Sequence, residues 1–131
     1  MKALIVEDDF TSRLLLQAIL NDFGTIYTVV NGREAVDACR AAIEGDAPFD
    51  LICMDIMMPE MDGQQAVRAI REIEQAKGII FPDGAKIIMT TALGDVKNMM
   101  KAFESLCDAY IVKPIGKQAV ADALRKLKLI D

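Results

Sequence analysis

Leu51-Ile52-Cys53-Met54-Asp55-Ile56-Met57-Met58-Pro59 is the stretch that organises this chain. Its apolar residues run without interruption into one carboxylate, and a proline then stops regular structure. A short, wholly apolar run is typical of a strand covered on both faces, as in a parallel sheet. We therefore expect Asp55 at the C-terminal end of a central strand, which is where open α/β sheets place their ligand sites.

The rest of the chain alternates between strand-like and helix-like patterns. Further strands are predicted at residues 3–6, 26–30, 86–91 and 109–112. Between and after the strands, apolar residues spaced three and four apart predict five helices. Their inward faces are predicted to be Leu15, Leu16, Ile19, Leu20 and Phe23; Ala35, Val36, Cys39 and Ile43; Val67, Ile70 and Ile73; Val96, Met99, Met100, Phe103 and Leu106; and Val120, Ala123, Leu124 and Leu127. This alternation predicts an α/β fold, with a doubly wound five-stranded parallel sheet and helices on both faces.

Local signals mark several helix ends and one unusual loop. Gly24 is expected to end the first helix as its C′ residue. Asn31 is predicted to cap the second helix, and Asp62 stands where the third begins. The loop 77–85 contains the apolar run Ile79-Ile80-Phe81. We expect this run to pack against the domain, because apolar patches of a single domain usually fold back.

Composition sets the broad class of the protein. With 131 residues, 53% of them hydrophobic and 27% charged, residues 1–131 are expected to form one globular domain. The net charge of −5 argues against direct nucleic-acid binding, which needs a basic surface. No stretch approaches membrane-spanning length and no targeting segment is visible, so no membrane association is expected. Cys39, Cys53 and Cys107 lie in apolar segments, which suits reduced core thiols in a cytoplasmic protein.

The ends of the predicted strands carry polar side chains of complementary types. Glu7 and Asp8 follow the first strand, Asp55 ends the third, Thr91 ends the fourth and Lys113 follows the fifth. In a parallel sheet all these ends lie along one rim. Carboxylates brought together repel one another unless a cation joins them, and oxygen ligands in a chain without histidine favour a hard ion, with Mg²⁺ the natural choice. A lysine and a hydroxyl opposite would suit a phosphoryl group, for which an aspartate can be the nucleophile.

Each of these residues also has an ordinary structural interpretation. Asp8 or Asp9 could simply cap the following helix. Thr91 alone would usually be a turn hydroxyl, and Lys113 alone a solvated surface lysine. Met57 could be core filler. These interpretations do not predict that all the polar strand ends are of the right types together.

Four motifs together resemble the receiver domain of two-component response regulators. They are Val6-Glu7-Asp8-Asp9, the run Met54-Asp55-Ile56-Met57-Met58-Pro59-Glu60-Met61-Asp62-Gly63, Thr91-Ala92, and Tyr110-Ile111-Val112-Lys113-Pro114. The match covers essentially the whole chain in order. The resemblance implies a flavodoxin-like sheet with strand order 2-1-3-4-5, an order for which a member of this family is a standard example.

The resemblance implies a phosphoacceptor and a metal site. Asp55 would accept a phosphoryl group from the phosphohistidine of a histidine kinase or a histidine phosphotransfer protein. Asp8 would ligate Mg²⁺ directly, together with Asp55, and Glu7 would act mainly through water. The backbone carbonyl of Met57 would complete the protein ligands. Such a domain is a signalling phosphoacceptor rather than an enzyme, with only self-phosphorylation and slow self-dephosphorylation.

The resemblance also implies a switch. Thr91 would bond one phosphoryl oxygen, Lys113 would neutralise another, and Tyr110 would change rotamer together with Thr91. The Lys113–Pro114 peptide bond is expected to be cis. Signals would pass to an output partner through the face formed by the fourth helix, the fifth strand and the fifth helix, in a monomer or a phosphorylation-dependent dimer.

Some residues depart from the family pattern or vary within it. Leu106-Cys107 stand where the family often has a glycine-alanine turn, and the loop 77–85 is longer than expected. In the family, the positions two after the acceptor and two after the threonine border the approach of hydrolytic water. Here they are Met57 and Leu93, both apolar, so the acyl phosphate is expected to hydrolyse slowly.

Other functional classes fit the sequence less well. A haloacid-dehalogenase-type phosphatase would need a second aspartate where Met57 stands. An FMN carrier of the same fold would have its phosphate repelled by Glu7-Asp8-Asp9, and a P-loop hydrolase would need a glycine-rich loop ending in Gly-Lys-Ser/Thr, which the chain lacks. A purely structural interaction module would be expected only if the site were degenerate.

Overall fold

The computed structural model describes residues 1–58, 60–92 and 106–131. Its strands are β1 (Lys2–Val6), β2 (Thr25–Val29), β3 (Leu51–Asp55), β4 (Lys86–Thr91) and β5 (Ala109–Val112). The helices within the described ranges are α1 (Phe10–Leu20), α2 (Gly32–Glu44), α3 (Gly63–Ala76) and α4 (Lys117–Lys126). The helix predicted between β4 and β5 falls, apart from Leu106, on residues 93–105, outside the described part of the chain, so α4 is the helix predicted as the fifth. Leu93 also lies there.

The five strands form one parallel sheet in the order β2-β1-β3-β4-β5. Every residue of β3 is buried, as the all-apolar stretch predicted. β3 pairs with β1 on one side and with β4 on the other, and its last residue, Asp55, lies opposite Thr90. The predicted sheet and strand order are confirmed, and Asp55 lies at the C-terminal end of the central strand.

Alternate residues of the strands divide the core between the two faces of the sheet. One cluster joins Leu4, Ile52 and Met54 to the buried faces of α2 and α3. The other joins Ile5 and Cys53 to those of α1 and α4. Each fully buried Leu, Ile or Met side chain contributes about 1.5–3 kcal/mol of transfer free energy, so the sheet that carries Asp55 is held from both sides.

Three helices begin at side-chain caps. The carboxylate of Asp9 accepts a hydrogen bond from the Ser12 N–H at 2.8 Å, and Asp62 accepts one from the Gln65 N–H at 2.9 Å. Asn31 caps α2 in the same way. Such a cap contributes about 1 kcal/mol. The cap predicted at Asn31 is confirmed, and the third helix begins after Asp62, as predicted. In the acidic turn, Asp9 rather than Asp8 is the helix cap.

The first helix is shorter than predicted. It ends at Leu20 with Asn21 as its C-cap, so the prediction that Gly24 is its C′ residue is wrong. Gly24 instead lies against the Met1 carbonyl, where a Cβ would clash with the backbone. Leu15, predicted on the inward face, is 45% exposed. The inward face of α1 is therefore narrower than its periodicity predicts, with Leu16, Ile19 and Leu20 buried and Leu15 exposed.

The expectation that the apolar run of loop 77–85 packs is wrong for Ile80, which is 56% exposed. Phe81 is 36% exposed, and its ring centroid lies 5.1 Å from the guanidinium carbon of buried Arg71. Hydrogen bonds hold this loop without burying Ile80: the Asp83 N–H donates to the Ile80 carbonyl at 2.9 Å, and the Ala85 N–H donates to Glu74 at 2.8 Å. Hydrogen bonds of the backbone thus fix the loop, while Ile80 remains at the surface.

A buried ion network lies at the N-terminal ends of β4 and β5, at the opposite end of the strands from Asp55. Arg71 donates to Glu74 at 2.8 Å, to Asp108 at 2.9 Å and to the carbonyls of Ala85 and Leu106 at 2.8 and 3.1 Å. The three charged side chains are at most 7% exposed.

Leu106, which was predicted to lie on an inward helical face, is 43% exposed. Its φ of 67° is in the left-handed region, which a glycine would adopt readily.

None of the helices in the described ranges combines the length and apolar character that crossing a membrane requires.

Candidate functional site

Three carboxylates converge at the C-terminal rim of the sheet. Glu7 and Asp8 follow β1, Asp55 ends β3, and one oxygen from each lies within 4.8 Å of the others. Glu7 and Asp55 are buried, whereas Asp8 is exposed. Glu7 Oε2 is buried and has no hydrogen-bond partner among the described residues. A buried carboxylate oxygen without a donor, beside two further carboxylates, fits a hard divalent cation such as Mg²⁺.

The acidic cluster changes the protonation of Asp55. The pKa of Asp55 is raised to about 7. Burial, which disfavours the charged form, is the largest cause, and the neighbouring Glu7 carboxylate adds to the rise. Lys113 and the backbone N–H of Met57 oppose the rise. The Asp55 carboxyl is therefore only partly ionised near neutral pH.

Lys113 reaches into the same cluster from the end of β5. Its Nζ donates to Glu7 Oε1 at 2.7 Å and lies 3.5 Å from Asp55 Oδ2. Burial lowers the pKa of Lys113, but the hydrogen bond with Glu7 and the two carboxylate charges outweigh it, so the pKa is raised overall. The Lys113 N–H donates to the Thr91 carbonyl at 2.7 Å, and the Lys113–Pro114 bond is cis, as predicted.

Thr91 lies beside this cluster at the end of β4. It is buried, and its hydroxyl has no hydrogen-bond partner within the described ranges. A buried hydroxyl without a partner costs free energy unless a ligand bonds it. Tyr110, in β5, lies opposite Met89 of β4 and packs against the core cluster formed with α2 and α3. Thr91 and Tyr110 thus sit on adjacent strands.

The chain after Asp55 shapes the mouth of the site. Met57 is 62% exposed, which places its side chain at the entrance rather than in the core. Gly63, the first residue of α3, lies so close to the Asp55 carbonyl that a Cβ would clash with the backbone, and its N–H donates to the Ile56 carbonyl at 2.9 Å. Only glycine allows α3 to begin this close to the backbone at the end of β3.

The predicted site residues are therefore assembled on one rim, by four different strands. Sequence analysis did not single out Arg13, whose guanidinium donates to the backbone of the acidic turn. The available signal was a basic residue one helical turn after the N-cap Asp9, but such a residue usually points to solvent. The buried network of Arg71 was also missed, because Arg71 and Glu74 have the spacing of an ordinary surface pair on a helix.

Curated relatives match almost the whole chain. The chemotaxis protein CheY of Halobacterium salinarum is 39% identical over 124 residues, covering 94% of this chain and 92% of the relative. A probable histidine kinase 2 of Oryza sativa subsp. indica is 35% identical over 134 residues, covering 95% of this chain. The chain spans only 12% of the length of that kinase.

Solved structures show the same fold. The receiver domain of the histidine kinase CKI1 from Arabidopsis thaliana, complexed with Mg²⁺ and BeF₃⁻, superposes with a TM-score of 0.83 at 27% identity, covering 97% of this chain and 89% of that one. The receiver domain of Ssk1 from Saccharomyces cerevisiae, in a co-crystal structure with the histidine phosphotransfer protein Ypd1, gives a TM-score of 0.82 at 26% identity, covering 99% and 92%.

The family described as the response regulator receiver domain matches residues 3–125, nearly the full chain. The sheet order, the acidic cluster and the lysine beside it agree with that match. The chain belongs to the response regulator receiver domain family of two-component systems.

Proposed function

We propose that this receiver domain accepts a phosphoryl group on Asp55 in a Mg²⁺-dependent reaction. The observation that carries the proposal is the convergence on Asp55 of two further carboxylates and the ammonium of Lys113. The buried hydroxyl of Thr91, which has no described partner, belongs to the residue that follows Thr90, the residue opposite Asp55 in β4. A site built only to stabilise the fold would not gather three carboxylates. Nor would it leave buried oxygens of Glu7 and Thr91 without a hydrogen-bond partner in the described part of the chain.

The residues around Asp55 divide the work of binding. Glu7, Asp8 and Asp55, with the carbonyl of Met57, would hold Mg²⁺, which supplies positive charge that neutralises carboxylate and phosphoryl oxygens. Lys113 supplies a second positive charge, with its Nζ 3.5 Å from Asp55 Oδ2. Thr91 offers a hydroxyl to a phosphoryl oxygen. Together they lower the repulsion that an anionic donor would otherwise meet.

The transfer itself exchanges one bond to phosphorus for another. A carboxylate oxygen of Asp55 forms a bond to phosphorus while the bond from phosphorus to the donor imidazole nitrogen breaks, and the departing imidazole takes up a proton. Asp55 must be ionised to attack, and the positive charge of a divalent cation held by Glu7, Asp8 and Asp55 would favour that ionised form. The domain is a phosphoacceptor rather than an enzyme that acts on a separate substrate, and it returns to its starting state by hydrolysis.

Intact-protein mass spectrometry with acetyl phosphate and Mg²⁺ tests this proposal. The wild-type protein is expected to gain one phosphoryl adduct, and Asp55→Asn is expected to gain none. Asp37→Asn, which removes an exposed carboxylate on α2, serves as the matched control and should be phosphorylated normally. An adduct that survives Asp55→Asn would place the acceptor elsewhere.

A histidine kinase or a histidine phosphotransfer protein is the phosphodonor that this surface fits. Phe10, at the start of α1, is 64% exposed, and Leu14 and Leu15 are exposed along the same helix. Beside them lies an open, mainly apolar groove of ≈ 440 Å³ whose lining includes Lys113. The donor must bring its phosphohistidine to Asp55, so an apolar surface that borders the site is the place for it to dock.

Matched charge substitutions test this docking surface. Leu14→Asp should slow transfer from a phosphorylated histidine phosphotransfer protein while leaving phosphorylation by acetyl phosphate unchanged. Ile80→Asp introduces the same charge at an equally exposed apolar residue in loop 77–85, and transfer should be unaffected. Equal slowing by both substitutions would show that net charge, not the α1 surface, determines the rate.

Output is proposed to run through the face that includes β5 and α4. Phosphorylation would draw Thr91 towards the phosphoryl group and allow Tyr110 to reorient, which biases a two-state equilibrium of a few kcal/mol. Chemical-shift mapping with beryllofluoride and Mg²⁺ is expected to show changes over Tyr110–Val120. Changes confined to the pocket would favour a phosphate store over a switch.

Sedimentation with and without beryllofluoride would distinguish a monomer from a phosphorylation-dependent dimer.

A reducing compartment suits the thiols. Cys39, Cys53 and Cys107 are all buried and unpaired, and burial raises the pKa of Cys39 and of Cys53 to about 12, which makes both thiols unreactive. We place the domain in the cytoplasm, where histidine kinases present their phosphohistidine. Loss of function on adding a reductant in vitro would argue against this location.

A further inference from the structure

Arg13 ties α1 to the turn that carries Glu7 and Asp8. Its Nη1 donates to the Glu7 carbonyl at 2.9 Å and lies 3.5 Å from the Asp8 carbonyl. The Arg13 backbone N–H donates to the Asp9 carbonyl at 2.9 Å, so the base of the side chain is fixed in the first turn of the helix. The guanidinium also lies over the ring of Phe10, with its carbon 5.5 Å from the ring centroid. One side chain therefore joins a rigid helix to two successive peptide groups of the acidic turn.

We propose that Arg13 is a positioning residue for the Mg²⁺ ligands, an inference that rests on the proposed function of the acidic cluster. It holds the peptide groups of Glu7 and Asp8 so that their carboxylates face Asp55. Asp8 lies beyond the last residue of β1, so the sheet does not fix its direction. Rotation of the peptide group between Glu7 and Asp8 would turn both ligand side chains, and a donor on its carbonyl prevents that rotation.

The charge of Arg13 alone predicts the opposite effect on the metal. A guanidinium near three carboxylates makes the local potential less negative, so its removal should tighten the binding of a divalent cation. If Arg13 acts by positioning, its removal should weaken binding instead. Partners that orient metal ligands from outside the coordination sphere typically contribute about 10–100-fold to affinity. The sign of the change therefore separates the two effects.

Isothermal titration calorimetry with MgCl₂ alone measures that sign. Arg13→Met is expected to weaken Mg²⁺ binding about tenfold, the lower end of the range for such residues. Arg13→Lys keeps the charge on a shorter side chain that ends before the position of Nη1, the one nitrogen that contacts both carbonyls, so it should weaken binding nearly as much. Arg40→Met is the matched control, because it removes one positive charge from an exposed pair with Asp37 on α2. Its Mg²⁺ affinity should stay within about twofold of wild type.

Several results would overturn the inference. Wild-type affinity in Arg13→Lys, or tighter binding in Arg13→Met, would show that charge and not position matters. A lower melting temperature in the presence of chelator, with an unchanged Mg²⁺ affinity, would assign Arg13 a merely structural role. If Arg13→Met fails to fold, Arg13→Lys decides the question.

The same titrations separate this inference from the proposed function. If the wild-type protein binds Mg²⁺ and is phosphorylated on Asp55 while the Arg13 variants bind Mg²⁺ normally, only the inference about Arg13 fails. If the wild-type protein neither binds Mg²⁺ nor gains an adduct, both fail together.

Discussion

Asp55→Asn should stabilise the metal-free protein at alkaline pH. The pKa of Asp55 is raised from 3.8 to about 7, chiefly by burial, so the folded chain binds this proton more tightly than the unfolded chain does. A carboxyl group of this kind favours the folded state below about pH 4, and that stability is lost as the pH rises through about 7. Above pH 7 the folded protein must keep an ionised Asp55 beside Glu7 without a metal.

The size of the effect follows from the pKa difference. Each pKa unit corresponds to about 1.4 kcal/mol, so the whole difference would amount to about 4 kcal/mol at pH 8. Water at the mouth of the site and the ammonium of Lys113 can move towards an ionised Asp55. We therefore expect about half of that amount, roughly 2 kcal/mol, to be recovered by an uncharged asparagine.

Urea unfolding at pH 5 and pH 8, with chelator or with excess Mg²⁺, measures this prediction. With chelator, wild type should lose stability between the two pH values and Asp55→Asn should change less. Excess Mg²⁺ should stabilise wild type by mass action and reverse the order of the two proteins. Asp22→Asn removes an exposed carboxylate 3.7 Å from Lys117 and should change stability by less than about 1 kcal/mol. An Asp55→Asn protein that is no more stable than wild type at pH 8 with chelator would refute the reasoning.

Four further measurements address the metal, the fold and the lifetime of the phosphorylated state. Asp8→Asn should abolish most of the rise in melting temperature that millimolar Mg²⁺ gives the wild type, and an unchanged rise would move the metal site elsewhere. Arg71→Met leaves buried Glu74 without its ion pair and leaves Asp108 with only Lys86, at 3.9 Å, so it should lower the free energy of unfolding by about 3–5 kcal/mol, against less than about 1 kcal/mol for the exposed Arg40→Met. Leu106→Gly removes a left-handed non-glycine residue and should raise the melting temperature by about 2–4 °C, whereas a fall would show that the leucine side chain packs usefully. Met57→Asn places a polar group at the mouth of the site and should speed hydrolysis of the acyl phosphate by about tenfold, which corresponds to about 1.4 kcal/mol of activation barrier. A time course of the intact protein mass measures this rate, and an unchanged half-life would exclude Met57 as the barrier to water.

The sheet was predictable because burial on two faces leaves a plain pattern. The apolar runs before Asp55 and before Glu7 have no polar side, which only a covered parallel sheet accommodates. The rim followed from topology, since parallel strands bring their C-terminal ends together wherever the helices lie. Side-chain partners were less predictable, because they depend on packing between elements distant in sequence. Arg71 is an example: its spacing to Glu74 predicts a solvent-exposed pair, but loop 77–85 and Asp108 enclose it.

The same distinction applies inside the site. Sequence motifs predicted which residues would meet, but not that Lys113 would lie closer to Glu7, at 2.7 Å, than to Asp55, at 3.5 Å. Burial and the neighbouring Glu7 carboxylate raise the pKa of Asp55, and one ammonium placed between two buried carboxylates offsets only part of that rise. A divalent cation near Asp8 would supply the missing charge. Because Glu7 and Asp55 are among the residues that would hold that cation, the ammonium of Lys113, 3.5 Å from Asp55, would be available to a phosphoryl oxygen on Asp55.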